Sequence, residues 1–269
     1  MGMFGRKSQT TAELAAELGQ PLGEPRPARA AINLQKGTGP AVARDTVELT
    51  GGVNMTKRFD KAGTALSKLG LTGVRAQVVM LLDHSGSMHS DYRNGTVQTL
   101  VERALGFAAQ VDTDGKLPII AFDSGVYEPV EVDLASYANV VNDKIWRPTE
   151  MSGTNMHKPL QQVIEMAKTT EEPIFLIVIG DGSPADKIKT KKAVIELANY
   201  PVFIKFLAIR PVDFLQELDD LPDSVRLLDN VDAKFIDDPS GISDLNFAEA
   251  MADEWDSWFN LAQAHNLVV

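Results

Sequence analysis

The sequence contains no cysteine among its 269 residues. This absence excludes disulfide bonds, thiolate metal sites and cysteine nucleophiles, and it favours a reducing compartment, so we expect a cytoplasmic protein. There is also no apolar run of about 18 residues, the length that a membrane-spanning helix needs, and the first residues lack the apolar stretch of a signal peptide. We therefore expect no membrane insertion.

Basic residues are fewer than acidic ones: the sequence has 26 Lys and Arg and 37 Asp and Glu, which gives a formal net charge of −11. This charge argues against binding to nucleic acid or to anionic membranes. It also repels an acidic protein partner in general, so that a bound metal ion would be a useful bridge to one. The apolar fraction of 44% is ordinary for a soluble globular protein.

The most informative stretch is residues 75–88, where an apolar run ends abruptly in a polar cluster. The run Ala76–Leu82 is interrupted only by Gln77, and its β-branched residues favour a strand that is buried on both faces. The polar residues that follow are Asp83, His84, Ser85, Gly86 and Ser87. One carboxylate and two hydroxyls form a set of hard oxygen donors that suits Mg²⁺ or Mn²⁺. The alternative is a serine-rich turn in which Asp83 caps the next helix.

Apolar runs and amphipathic segments alternate along the rest of the chain. Further strands are predicted at 117–122, 126–132, 174–179, 202–209 and 233–236, and helices at 96–111, 134–145, 157–168, 185–198 and 214–218. The tight turn Asp123-Ser-Gly joins the first two of these strands as an antiparallel hairpin. The pattern predicts an α/β fold: a doubly wound, mostly parallel sheet with one antiparallel edge strand and helices on both faces.

The chain is predicted to have three parts. Residues 1–30 are expected to be a flexible arm, in which 11–18 could form a short helix with little to bury. Residues 31–74 are expected to hold a strand pair, 32–34 with 47–49, and a helix over 56–69. Residues 75–269 form the main domain, which ends in one apolar helical stripe: Phe247, Met251, Trp255, Trp258, Phe259 and Ala262.

Five oxygen-bearing residues are expected at one edge of the sheet: Asp83, Ser85, Ser87, Thr154 and Asp181. Their order and spacing resemble the von Willebrand factor A (vWA) family, whose metal-ion-dependent adhesion site has the pattern Asp-x-Ser-x-Ser, then Thr, then Asp. The resemblance implies a vWA fold and a site for Mg²⁺ or Mn²⁺ at these five residues. It also implies that the two carboxylates lie partly behind the direct ligands, so that the ion attracts an outside carboxylate.

A narrower resemblance rests on four segments. They begin at Leu69 (Leu-Gly-Leu-Thr-Gly-Val-Arg-Ala), Asp83 (Asp-His-Ser-Gly-Ser-Met), Tyr92 (Tyr-Arg-Asn-Gly-Thr-Val-Gln) and Ala121 (Ala-Phe-Asp-Ser). These are similar to the C-terminal vWA domain of TerF-like tellurium-resistance proteins, although Gly180 stands where Thr is common and Ser152 where Gly is common. The resemblance implies a non-enzymatic module of a bacterial tellurium-resistance or stress-response system. Its partner would present an Asp or Glu carboxylate, and other tellurium-resistance proteins are candidates.

Two other functions compete with this interpretation. The first is a metal-dependent hydrolase, such as a phosphatase, that uses Asp83; against it, Ser85 stands where dehalogenase-type phosphatases need a second Asp. The second is a structural component of a phage or another assembly. The histidines His84, His89 and His157 lie near the predicted site but lack zinc-site spacing, so we expect them to be exposed or to support the site indirectly.

Overall fold

The structure, a computed structural model, describes residues 10–19 and 25–269. The strands are β1 (Gln77–Asp83), β2 (Leu117–Phe122), β3 (Val130–Val132), β4 (Ile174–Gly180), β5 (Val202–Ala208) and β6 (Val231–Phe235). They form a single six-stranded sheet in the order β3-β2-β1-β4-β5-β6. All neighbours are parallel except β2 and β3, which pair antiparallel at one edge. The predicted α/β fold class is therefore confirmed.

Helices connect the strands and cover both faces of the sheet. Those in the described residues are α1 (Thr11–Leu18), α2 (Arg44–Lys68), α3 (His89–Arg93), α4 (Thr96–Val111), α5 (His157–Ala167), α6 (Lys187–Leu197), α7 (Asp213–Asp219), α8 (Asp244–Ala252) and α9 (Trp255–Ala264). A 3₁₀ turn at Gly86–Met88 and a π-helical turn at Val141–Ile145 complete the set. Within the described part of the chain, no helix has the length and apolarity to cross a membrane.

The central strand β1 is buried on both sides because a layer of helices packs on each face. Val78, Met80 and Leu82 belong to the core cluster beneath α2, α4, α8 and α9. Val79 and Leu81 point the other way and belong to the cluster beneath α1, α5, α6 and α7. Side chains alternate across a strand, so a strand covered on both faces needs apolar residues at every position. This explains the uninterrupted apolar run.

The predicted strand pair at 32–34 and 47–49 is wrong. Residues 47–49 lie in α2, which begins at Arg44 and continues through a kink at Gly52, where the backbone has φ 70° and ψ −176°. Val47 is fully buried whereas Leu49 is 88% exposed, the pattern of an amphipathic helix. Ile32 pairs instead with Val268 at the opposite end of the chain, a contact between segments too distant in sequence for a local pattern to reveal.

The expectation that a helix at residues 11–18 has little to bury is also wrong. Leu14 and Leu18 of α1 are 0% and 3% exposed, within the core cluster shared with α6 and α7. Glu17 pairs with the buried Lys191 of α6, at 2.8 Å. These residues are thus docked on the domain. The other parts of the expected arm that fall on residues 1–9 and 20–24 lie outside the described residues.

Three smaller differences concern element length. The predicted helix over 134–145 is reduced to the π-helical turn at its end, and the predicted strand over 126–132 is regular only at β3. The C-terminal apolar stripe is buried as predicted, but it is divided between α8 and α9. The division falls at Glu254, whose φ of 62° interrupts the helical backbone.

Candidate functional site

The candidate site lies at the carboxyl ends of the neighbouring strands β1 and β4. The chain continues from β1 to β2 on one side of this pair and from β4 to β5 on the other side. The carboxyl ends of two such strands frame a crevice in which doubly wound proteins commonly bind ligands. Asp83 ends β1 and Asp181 follows β4, and Leu82 lies opposite Ile179 in the register of the two strands. The two aspartates therefore reach the same crevice.

Hydrogen bonds organise the loop after β1 around its own aspartate. The backbone N–H of Ser85 donates to Asp83 Oδ1 at 2.7 Å. The hydroxyl oxygens of Ser85 and Ser87 are 3.1 Å apart, and Ser87 Oγ donates to Asp181 Oδ1 at 2.7 Å. Four of the five predicted residues are thus joined in one network of oxygen atoms.

The fifth residue, Thr154, is brought to this network by its main chain. The N–H of Gly86 donates to the carbonyl of Ser152 at 2.9 Å, which joins the first loop to the loop before α5. The carbonyl of Thr154 accepts from the N–H of Ala185 at 2.8 Å, which joins that loop to the segment after β4. Thr154 therefore lies between the other two loops and is partly exposed.

The two aspartates are buried close to each other. Asp83 is 1% exposed and Asp181 is 7% exposed. The pKa of Asp83 is raised to about 6, chiefly by burial and to a smaller extent by the charge of Asp181, while hydrogen bonds from Ser85 act in the opposite direction. No Lys, Arg or His side chain within the described residues pairs with Asp83. A buried carboxylate without a cationic partner is unfavourable, and a divalent cation beside it would remove that cost.

Gly180 allows the two strands' ends to approach in this way. A Cβ atom at Gly180 would lie 3.0 Å from Asp83 Oδ2 and 3.1 Å from Asp83 Cβ, closer than most real Cβ contacts. Gly180 stands where Thr is common in the family that the sequence resembles. The missing side chain leaves room for the Asp83 carboxylate.

Sequence reasoning missed Arg210, which supplies the positive charge at this edge. Arg210 follows β5, and its Nη1 donates to Asp181 Oδ2 at 2.6 Å while its Nη2 donates to Asp91 Oδ2 at 2.8 Å. Asp91 belongs to α3, directly after the loop that carries Ser87. The guanidinium therefore joins the loops of β1, β4 and β5. The signal in the sequence was a lone arginine at the end of a third parallel strand.

Among the described residues, no metal-binding cluster contains a histidine. His84 is fully buried, packs edge-on against the rings of Tyr92 and Tyr127, and accepts the N–H of Arg147 at Nε2, at 3.0 Å. Burial lowers the pKa of His84. His89 packs against Trp146.

His157 pairs through Nδ1 with Asp186. Asp186 directly precedes α6, but its carboxylate makes no cap hydrogen bond to that helix. It accepts instead from the N–H groups of Met156 and His157, at 3.1 and 3.2 Å, and so caps α5. The cap joins segments about 30 residues apart, so a local sequence pattern does not indicate it.

An acidic triad in the described residues lies away from this crevice. Asp219, Asp232 and Glu254 have carboxylate oxygens within 4.8 Å of one another. Lys205 and Lys234 both pair with the buried Asp232, so this triad already has cationic partners.

Comparison with known sequences defines the class of the protein. A family model described as vWA-TerF-like, the vWA domain found at the TerF C terminus, matches residues 75–268. The chain belongs to this vWA-TerF-like family. Domains of the vWA type generally mediate protein interactions, and they often bind a metal.

Individual relatives are similar over most of the chain or over part of it. The uncharacterized protein YcbR of Bacillus subtilis (strain 168) is 34% identical over 216 residues, which cover 76% of this chain and 85% of YcbR. Among solved structures, the ArnB paralog VWA2 of Sulfolobus acidocaldarius is 19% identical with a TM-score of 0.45, covering 61% of this chain but only 42% of that one. The manganese-loaded TRAP protein of Plasmodium vivax is 15% identical with a TM-score of 0.48, covering 66% and 72%.

Proposed function

We propose that this chain is a non-enzymatic, Mg²⁺-dependent protein-binding module. In this proposal Asp83, Ser85, Ser87, Thr154 and Asp181 hold the ion, and an Asp or Glu of a partner protein completes its coordination. Mn²⁺ would serve in place of Mg²⁺, because both ions prefer hard oxygen donors. The single observation that carries the proposal is the buried Asp83 carboxylate, which lies beside Asp181 and two hydroxyls and has no basic partner in the described part of the chain.

The hydroxyl and carboxylate residues of the site would have different roles in binding the ion. Ser85 and Ser87 present neutral hydroxyl oxygens, and the carboxylates of Asp83 and Asp181 supply the negative charge that holds a divalent cation. Because three of the five donors are neutral, a bound ion would keep enough positive charge to attract a carboxylate from outside. That attraction would offset, at one point, the repulsion between an acidic partner and a chain of net charge −11.

Family membership supports the wider assignment. A role in bacterial tellurium resistance or stress response, with partners among other tellurium-resistance proteins, is proposed from membership of the vWA-TerF-like family. Testing it requires deletion of the gene and growth of the source bacterium with tellurite. Unchanged tolerance would contradict this role without affecting the metal-docking proposal.

Metal binding is tested by titrating the metal-free protein with Mn²⁺ in a calorimeter. We expect wild type to bind one ion, and Asp83→Ala and Thr154→Ala to bind it at least tenfold more weakly, because each loses a donor. Asp237→Ala is the matched control, since Asp237 is an exposed aspartate two residues after β6. Equal affinity in wild type and Asp83→Ala would contradict the site assignment.

Docking is tested by partner capture with Mg²⁺ and with EDTA. Capture should fail in EDTA and with Asp181→Ala, and it should fall steeply when one Asp or Glu of the partner becomes Asn or Gln. A panel of phosphoesters with Mg²⁺ addresses the competing hydrolase. Turnover that disappears in Asp83→Ala would favour an enzyme over a binding module.

A further inference from the structure

Arg210 has an unusual position for a residue beside a proposed cation site. Its guanidinium bridges Asp181 and Asp91 through two short charge-assisted hydrogen bonds, yet its side chain remains 42% exposed. Counting side-chain atoms alone, its two carboxylate partners are much less exposed, at 1% for Asp181 and 11% for Asp91. Two anchored hydrogen bonds therefore hold the guanidinium at the surface of the crevice.

The Arg210 guanidinium has N–H donors that these two contacts do not use. An arginine carries five N–H groups, and these two contacts use one N–H from each Nη atom. The remaining N–H groups can donate to a carboxylate that approaches from solvent. Because Asp181 and Asp91 hold the planar group in place, little further side-chain freedom is lost when such a carboxylate binds.

The same positive charge acts against the metal. Arg210 neutralises part of the charge of Asp181, which the proposed ion also needs. A fixed cation near the site repels a second cation, so the site should bind its metal more weakly than its carboxylates alone would allow. Arg210 thus lowers metal affinity and raises attraction for anions at the same face.

We propose that Arg210 is a specificity-determining residue that makes this face select a partner segment with two neighbouring acidic side chains. One carboxylate binds at the metal, and the second is bound by the free N–H groups of Arg210. This inference rests on the proposed metal-docking function. It predicts opposite effects of one substitution on metal affinity and on acidic-ligand affinity, which a residue of purely structural importance would not produce.

The test uses Mn²⁺-loaded protein and two capped dipeptides, Glu-Glu and Glu-Gln. Peptide binding is followed by the fall in water-proton relaxation as a peptide carboxylate displaces water from Mn²⁺. We expect wild type to prefer Glu-Glu by about fivefold, the size of one partly exposed ion pair. In Arg210→Gln this preference should disappear, while Mn²⁺ affinity rises roughly tenfold because a neighbouring positive charge is gone.

Two further variants separate charge from geometry. Arg210→Lys keeps the charge, so its Mn²⁺ affinity should stay within about twofold of wild type. Lys158→Gln is the matched control for loss of a charge: Lys158 is exposed in the first turn of α5 and donates to the carbonyl of Ser124. It should leave the preference for Glu-Glu intact.

The outcomes are distinguishable. If wild type binds no Mn²⁺, the proposed function fails and this inference fails with it. If wild type binds Mn²⁺ but does not prefer Glu-Glu, or if Arg210→Gln weakens Mn²⁺ binding, only the role of Arg210 is overturned. Should Arg210→Gln not fold, the wild-type comparison of the two dipeptides and the Mn²⁺ affinity of Arg210→Lys still decide the matter.

Discussion

Replacing Asp83 by Asn should stabilise the metal-free protein at neutral pH. Burial raises the pKa of this carboxyl from 3.8 to about 6. One pKa unit corresponds to about 1.4 kcal/mol, so the ionised Asp83 reduces the free energy of unfolding by roughly 3 kcal/mol once it is fully charged. Asn keeps the shape and the acceptor for the Ser85 N–H but carries no charge, so it avoids this cost.

The direction of the pH dependence follows from the sign of the shift. Because the pKa of Asp83 is higher in the folded state than in the unfolded chain, the folded protein holds the proton more tightly between about pH 4 and 6. The protonated carboxyl's contribution to stability is fully present below about pH 4 and is lost as the pH rises through 6. Wild type should therefore lose stability over this interval relative to Asp83→Asn.

The measurement is urea unfolding of both proteins in EDTA, from pH 4.5 to 7.5. Burial also raises the pKa of Asp112 and of Asp219 to about 7, but these groups are present in both proteins and their effects cancel in the difference. Asp237→Asn, an exposed substitution of the same kind, controls for the general loss of a negative charge.

Metal addition provides the complementary result. With free Mn²⁺ at a hundredfold excess over its Kd, wild type should gain about 2.7 kcal/mol of stability. Asp83→Asn should gain much less, because it lacks one of the site's two negative charges. Parallel stability profiles of the two proteins in EDTA, or a variant less stable than wild type at pH 7.5, would refute the reasoning.

Three further predictions concern the fold. Val79→Asp should abolish cooperative thermal unfolding, because Val79 is fully buried in β1 and an unpaired charge there costs more than about 5 kcal/mol. A sharp melting transition of this variant would contradict the prediction. Leu14→Ala should lower the free energy of unfolding by about 2–4 kcal/mol in urea, since the fully buried Leu14 packs α1 on the domain; an undocked arm would show no change. Lys205→Met should lower the free energy of unfolding by about 3 kcal/mol, because the buried Asp232 loses one of the two lysine partners seen in the described residues. Adding Asp232→Asn to this variant should recover part of the lost stability. Additive effects in that double variant would show that the pair is not coupled.

Much of the fold was predictable because its signals are local. The apolar run before Asp83 and the similar run before Gly180 each require a strand covered on both faces, and the alternating helices make the sheet parallel. Thr96–Val111 and Leu117–Phe122 have the bounds predicted from their apolar spacing. Parallel strands end at the same edge, so the juxtaposition of Asp83 and Asp181 also followed from the sequence.

The remaining features depend on contacts between segments that are far apart in the chain. Val47 and Leu49 alternate like a strand, but the buried face offered by neighbouring helices places this segment in α2. Whether Leu14 is buried depended on a surface formed by α6 and α7, which no local pattern describes.

The charge arrangement of the site was likewise decided only by tertiary structure. Asp186 caps α5 rather than its own helix because the fold brings its carboxylate to two free N–H groups of another segment. Arg210 binds Asp181 and Asp91 across 29 and 119 positions of the chain. The sequence by itself determined that Asp83 and Asp181 reach the crevice, because strand direction places them there. Which of their charges are neutralised depends on distances between side chains from different loops, and only the folded chain defines those distances.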